Sequence, residues 1–290
     1  MLSIDHLQFR YRAGQPDVFA NFSLQMQAGN IVGLLGKNGT GKSTLLYLIA
    51  GLLRPQHGTV SFQGTPTQER RPEVLNQIFL VPEEFELPSL RLDQYVKINK
   101  PFYPKFSDEV LRKSLEDFEL PLDLHLAKLS MGQRKKAFIS FALATNTSLL
   151  LLDEPTNGLD IPSKSQFRRV ISSQMNDERT IIVSTHQVHD IEAMIDRIVM
   201  LEGHRLLLDA SIAELCQRFR FEQRPYGQDL SDALYAEPSI SGTAVIAPND
   251  GTADTQLNLE LLFSALSQHP VLLQRQPNAQ TSPLPSIHAK

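Results

Sequence analysis

Between residues 31 and 50 the chain runs Ile-Val-Gly-Leu-Leu-Gly-Lys-Asn-Gly-Thr-Gly-Lys-Ser-Thr-Leu-Leu-Tyr-Leu-Ile-Ala, and few stretches constrain a fold more tightly. Five apolar residues, Ile31 to Leu35, read as a buried strand. The residues from Lys42 to Ala50 place Leu45, Leu48 and Ile49 on one helix face. Between them Gly36, Gly41, Lys42 and Ser43 stand at the spacing G-x-x-x-x-G-K-[ST] of a phosphate-binding loop. Glycines let such a loop curl until its N–H groups point inward at phosphate oxygens, and the following helix adds the positive end of its dipole. The cradle expected here runs through Gly36, Lys37, Asn38, Gly39, Thr40, Gly41, Lys42, Ser43 and Thr44. Lys42 is placed to reach the β- and γ-phosphates, and the Ser43 hydroxyl to ligate Mg²⁺. The loop says that a nucleoside triphosphate is bound, not what is done with it.

Leu149-Leu-Leu-Leu-Asp153-Glu154-Pro155 supplies the next constraint. Four apolar residues in a row fit a central parallel strand, and carboxylates at its carboxyl end sit where ligands bind in open α/β sheets. Beside a phosphate loop, Asp153 is expected to hold Mg²⁺ and Glu154 to activate the attacking water. The segment Thr180 to Ser184 reads as one more buried strand, delivering His186 at the same sheet edge. A lone histidine is more often structural than catalytic, and that edge is what makes this one a candidate. Tyr11 is either an ordinary strand residue or an aromatic that stacks on a purine. The alternating pattern of residues 1 to 30 predicts antiparallel strands. The stretch from Asp93 to Leu126, helical in period but interrupted by Pro101, Pro104 and Pro121, predicts a helical subdomain. Taken alone, Lys135 and Lys136 read as a solvated helix face.

Composition removes several function classes. A net charge of −4 and a pI near 6.1 give no basic bias for wrapping nucleic acid, so no nucleic-acid partner is expected. The single cysteine, Cys216, cannot form an internal disulfide, which suits a reducing cytosol. Asp5, His6 and Arg10 break up any apolar signal at the start, and no run of 18 apolar residues spans a membrane unaided.

Together these motifs resemble the ATP-binding subunits of ABC transporters over about residues 2 to 215. On that resemblance Tyr11 matches the adenine-stacking aromatic, and Leu129-Ser-Met-Gly-Gln133 the signature, whose Ser130, Gly132 and Gln133 meet nucleotide. Asn157 to Asp160 match the D-loop, and His186 the switch histidine. The signature's usual glycine is replaced by Met131. Glu83 stands where many members carry a metal-sensing glutamine, so it joins Ser43 and Asp153 as a metal-ligand candidate; Val-Pro-Glu-Glu resembles the ABC-2-type branch, associated with drug, polysaccharide or ion export. The implied fold is an α/β P-loop NTPase of ABC type: a mostly parallel core sheet, an antiparallel β subdomain, a helical subdomain over about residues 84–145, and a small C-terminal α+β extension. The implied function is an ATP hydrolase with ATP and Mg²⁺, energising a separate membrane permease through head-to-tail pairing with a second ABC domain, as a homodimer or heterodimer. Such a protein is cytoplasmic, held on the inner face of the cell membrane by its permease. The competing reading is a soluble ABC ATPase acting on a cytosolic partner.

Beyond residue 215 the resemblance thins. Residues 216–273 are expected to form the extension and 274–290, rich in Pro, Ser and Gln, a disordered tail. Leu259, Leu262, Phe263 and Leu266 make an amphipathic stripe, to be covered either by a partner or by the extension's own strand around Val245 and Ile246.

Overall fold

The computed structural model describes residues 1–251 and 253–270, so the expected tail at 274–290 lies outside the described residues. The chain divides into two compact units, Met1–Ile212 and the remainder from Ala213.

The first unit opens with antiparallel strands β1 (Leu2–Phe9) and β2 (Phe19–Met26), followed by β3 (Ile31–Leu35) and helix α1 (Lys42–Ile49). Strands β4 (His57–Phe62) and β5 (Thr65–Pro66) complete a four-stranded sheet in the order β2-β1-β4-β5. A one-turn helix, α2 (Pro72–Leu75), leads to β6 (Ile78–Val81). Three helices then leave the sheet: α3 (Leu92–Asn99), α4 (Asp108–Asp117) and α5 (Met131–Ala144). The chain returns as β7 (Leu149–Asp153), α6 (Ile161–Ser173), β8 (Thr180–Thr185), β9 (Arg197–Glu202) and β10 (Arg205–Ser211). The core sheet has the order β10-β9-β3-β8-β7-β6, parallel except at β10. Its inner strands β3, β7 and β8 are buried at every position and mostly apolar, as a sheet covered on both faces requires, with the polar residues of β7 and β8 at their ends.

Helix α1 lies between the two sheets. Leu45, Leu48 and Ile49 are buried in one cluster with Ile4, Phe19 and Leu24 of the antiparallel sheet and Leu34, Leu151 and Ile182 of the parallel one. The helical subdomain is pinned through Phe141 of α5, whose ring meets Phe79 of β6, Tyr95 of α3 and Phe106.

The second unit holds α7 (Ile212–Arg218), which crosses the division, and a three-stranded sheet of β11 (Phe219–Arg224), β12 (Tyr235–Ser239) and β13 (Gly242–Pro248) in the order β11-β13-β12, with α8 (Leu259–Gln268). Of the apolar stripe on α8, Leu259, Leu262 and Leu266 are buried, as are Val245 and Ile246 of β13, while Phe263 is half-buried. The stripe therefore finds its cover inside its own unit, each buried leucine contributing about 1.5–3 kcal/mol.

Candidate nucleotide site

Strand register assembles the site. Leu35 pairs with Thr185, Asp153 with Ser184, and Val81 with Leu152, so the carboxyl ends of β3, β8, β7 and β6 finish level. Gly36, His186, Glu154 and Glu83 follow those ends, which brings residues 150 positions apart to one edge of the sheet.

The glycine loop is held open by its own backbone. Gly41 adopts φ +96°, and a Cβ there would sit 2.9 Å from both Phe19 and Val18. At Gly36 a Cβ would meet the Thr40 hydroxyl at 2.6 Å and the Leu201 carbonyl at 2.8 Å. Only glycine permits that approach. Lys42, 6% exposed, donates to the carbonyls of Gly36 at 2.9 Å and Lys37 at 3.2 Å. Burial pushes its ammonium down from the ordinary lysine range, while Glu154 and Asp153 hold it up. Tyr11 is exposed and its hydroxyl pairs with that of Thr44 at 2.9 Å, so its ring borders the loop. Lys37, Asn38 and Gly39 are exposed at the loop's tip, and Thr40 donates back to the Lys37 carbonyl.

Asp153 is buried at the end of β7 and accepts from Ser184; the Ser43 hydroxyl bonds the same carboxylate. Desolvation pushes its pKa up, against those two hydroxyl bonds. A hydroxyl and a carboxylate joined in this way form a hard-oxygen donor pair that fits Mg²⁺, which keeps several of its own waters. Glu154 is 4% exposed with φ +43°. A non-glycine residue in this region costs about 1–3 kcal/mol and persists only where its surroundings dictate it. Here the Ser184 carbonyl accepts from the Glu154 N–H at 3.1 Å, and the Glu154 carbonyl accepts from the Asn157 N–H at 3.2 Å. Its Oε1 lies 2.8 Å from His186 Nδ1 and 3.7 Å from Lys42 Nζ; its Oε2 is buried with no hydrogen-bond partner among the described residues. A buried carboxylate oxygen without a donor is costly and points to a ligand that supplies one.

Glu83 is exposed, and its Oε1 accepts from Asn157 Nδ2 at 2.8 Å. Asn157 Oδ1 in turn accepts from Gln187 Nε2 at 3.1 Å, so one amide bridges the residues beside the acid and the histidine.

The signature folds as it does because Ser130-x-x-Gln133 is a capping box. The Gln133 N–H donates to Ser130 Oγ at 3.3 Å, and the Ser130 N–H to Gln133 Oε1 at 3.1 Å. Ser130 and Gln133 are exposed and Gly132 half-exposed. Met131 lies over the D-loop: a Cβ at Gly158, where φ is +77°, would fall 1.9 Å from its terminal methyl carbon. Asp160 caps α6 by accepting from the Ser163 N–H at 2.9 Å. Lys135 departs from expectation. It is 6% exposed, not solvated, and donates to the carbonyls of Glu154 at 3.0 Å and Asn157 at 2.9 Å. Lys136 is half-buried and donates to Gln166.

A phosphate loop opening from a parallel strand, with an acid pair two strands away in the same sheet, makes this a P-loop nucleotide-binding protein. The antiparallel sheet against α1 and the helical insertion between β6 and β7 make it the ABC variant of that class. The model of the family described as ABC transporter matches residues 19–157. The ABC transporter ATP-binding protein YtrB of Bacillus subtilis (strain 168) is 30% identical over 219 residues, covering 75% of each chain. The SkfA peptide export ATP-binding protein SkfE of the same organism is 27% identical, over 74% of this chain and 90% of its own. Among solved structures, an ATP-binding subunit of an ABC transporter superposes with a TM-score of 0.66 at 25% identity, covering 74% of this chain and 91% of that one. The chain belongs to the ATP-binding subunits of ABC transporters, a family that binds ATP. No helix among the described residues is long and apolar enough to cross a membrane.

Proposed function

We propose that this subunit hydrolyses ATP with Glu154 as general base, and that the cycle drives a separate membrane permease from the inner face of the membrane. The observation that carries the hydrolytic reading is the Glu154 carboxylate: buried, one oxygen against His186 and the other free of any donor among the described residues. That free Oε2 takes the proton of the attacking water as the water oxygen bonds to the γ-phosphorus and the bond to the bridging oxygen of ADP breaks. His186 keeps the carboxylate oriented through Nδ1, leaving Nε2 as the ring atom available to substrate. Lys42 donates to the β/γ-phosphate oxygens, and Tyr11 stacks on the purine. Mg²⁺, held by Ser43 and Asp153, would neutralise charge on the phosphate oxygens. Ser130, Gly132 and Gln133, exposed on the surface, meet the nucleotide of a second ABC domain in a head-to-tail dimer, with Asp160 beside them. A dimeric bacterial ABC cassette of the same fold, TM-score 0.64 at 24% identity, supplies the precedent for pairing. SkfE, named for peptide export, favours export as the direction of transport.

Glu154→Gln tests the reading. It keeps the size of the side chain and removes the base, so turnover should fall by about 10²- to 10⁴-fold while ATP affinity is retained and ATP-bound dimers accumulate on gel filtration. Hydrolysis at the parent rate would assign the base elsewhere.

A further inference from the structure

Lys135 is a buried ammonium that the chemistry above does not use. Burial of a charge is unfavourable unless something in the structure requires it, and both acceptors of Lys135 are main-chain carbonyls, those of Glu154 and Asn157. Glu154 is the residue whose backbone takes the left-handed conformation. Asn157 begins the D-loop, and its side chain is tied to Glu83 and Gln187. Lys135 therefore clamps both ends of the Glu154-Pro155-Thr156-Asn157 bend from outside. It does so from α5, the helix that begins immediately after Ser130.

We infer that Lys135 is a positioning residue for hydrolysis. By bonding the two carbonyls it fixes the backbone of Glu154, and so the direction of its carboxylate, and it makes that direction depend on the placement of α5. Ser130 and Gly132 lie at the start of the same helix, so engagement of a second nucleotide there would be felt at this chain's own base. The inference rests on Glu154 being the base. Lys135 forms no hydrogen bond to the glycine loop, whose lysine is held by Gly36 and Lys37. Its loss should leave nucleotide binding alone and disturb the chemical step, since a small misplacement of a catalytic group can cost about 10²-fold.

The test uses the full chain and four variants: Lys135→Met, Lys135→Gln, Glu154→Gln, and Lys135→Met combined with Glu154→Gln. Lys135→Met should lower kcat by about 10- to 100-fold with the Kd for a fluorescent ATP analogue within about twofold of the parent. Lys135→Gln, which keeps an N–H donor one bond shorter and drops the charge, should recover much of that loss. With Glu154→Gln already present, Lys135→Met should change the residual rate by less than about threefold, because no base remains to be aimed. A Lys135→Met protein with parental kcat, with weakened ATP binding as its main defect, or with an effect that multiplies undiminished on Glu154→Gln would overturn the inference and leave the catalytic reading standing. Should Lys135→Met not fold, Lys135→Ala, which likewise has no donor, is read in its place: parental kcat overturns the inference, and a lowered kcat at unchanged ATP affinity supports it. If Glu154→Gln itself turned over ATP normally, the base assignment would fail, and the inference with it.

Discussion

Glu83 shows how a departure from a family pattern is judged from one bond. The carboxylate is exposed, and the bond it makes, Oε1 accepting from the Asn157 amide, is one that a glutamine carbonyl accepts equally well. Its charge stands near Asp153 and Glu154, where a third acid adds repulsion. Glu83→Gln should therefore keep the bridge to Asn157 and hold ATPase activity within about tenfold of the parent, a barrier change near 1.4 kcal/mol. Steady-state phosphate release measures it, and a loss of several orders of magnitude would give the carboxylate a chemical role of its own. At this scale the sequence was legible wherever a motif has fixed spacing: Lys42, Ser43, Asp153, Glu154 and His186 all lie at one sheet edge. Lys135 was not legible. Its neighbours Arg134 and Lys136 make it look like part of a solvated run, and only the approach of the Glu154 and Asn157 carbonyls, 19 and 22 residues further on, gives the ammonium a reason to be inside.

Among the elements, α5 and α6 carry the signature and the D-loop, and both are fastened at the end remote from the nucleotide by Arg179. This guanidinium is 3% exposed and donates to the carbonyl of Leu143 in α5 at 3.3 Å and, loosely, to that of Gln174 after α6 at 3.5 Å. Cations are favoured at helix C-termini, where carbonyls lack partners. Desolvation nevertheless lowers its pKa from the ordinary guanidinium range to about 10. A base with a depressed folded pKa is a liability while charged, so this group would add stability only as pH rises above about 10 towards the ordinary guanidinium value; at neutral pH it is charged in both states and gives no pH dependence. Arg179→Met relieves the desolvation and removes these two long bonds, while the Leu143 carbonyl keeps the N–H of Asn146 and Gln174 is only half-buried, so stability should change by no more than about 1 kcal/mol. Urea unfolding at pH 8 checks it; a loss of about 3 kcal/mol or more would mean that the guanidinium itself holds the two helix ends. Elements were legible where the apolar period was clean, as for β3, α1, β7 and α8. The strands β11 and β12 were not, because β11 carries two arginines and β12 contains Pro238, tolerable at a sheet edge but not a strand signal.

Across the whole molecule, the placement of every site residue in the first unit decides what the second can contribute. The described residues of the second unit form their own core, including Phe219, Phe221, Val245, Ile246, Leu262 and Leu266, and the glycine loop, the acid pair and the signature all fall within the residue range of the first. A chain ended after Ile212 should bind ATP with an affinity within a few-fold of the full chain, any defect appearing in dimerisation or in association with the permease. Isothermal titration of the shortened chain decides it; loss of binding with the far-UV spectrum intact would make the second unit a support of the site. The first unit also has an order of assembly written into its register. Strand β3 is complete once residue 35 has been made, yet its two sheet neighbours are β8 and β9, which end at Thr185 and Glu202, and the N–H of Ile31 waits for the side chain of Asp196. At about 5–20 residues per second, a ribosome needs on the order of ten to thirty seconds to supply those partners. Through that interval the nascent chain carries a finished glycine motif flanked by one of its most apolar strands, with no sheet to hold either, so protection of that strand during translation falls to whatever meets the emerging chain.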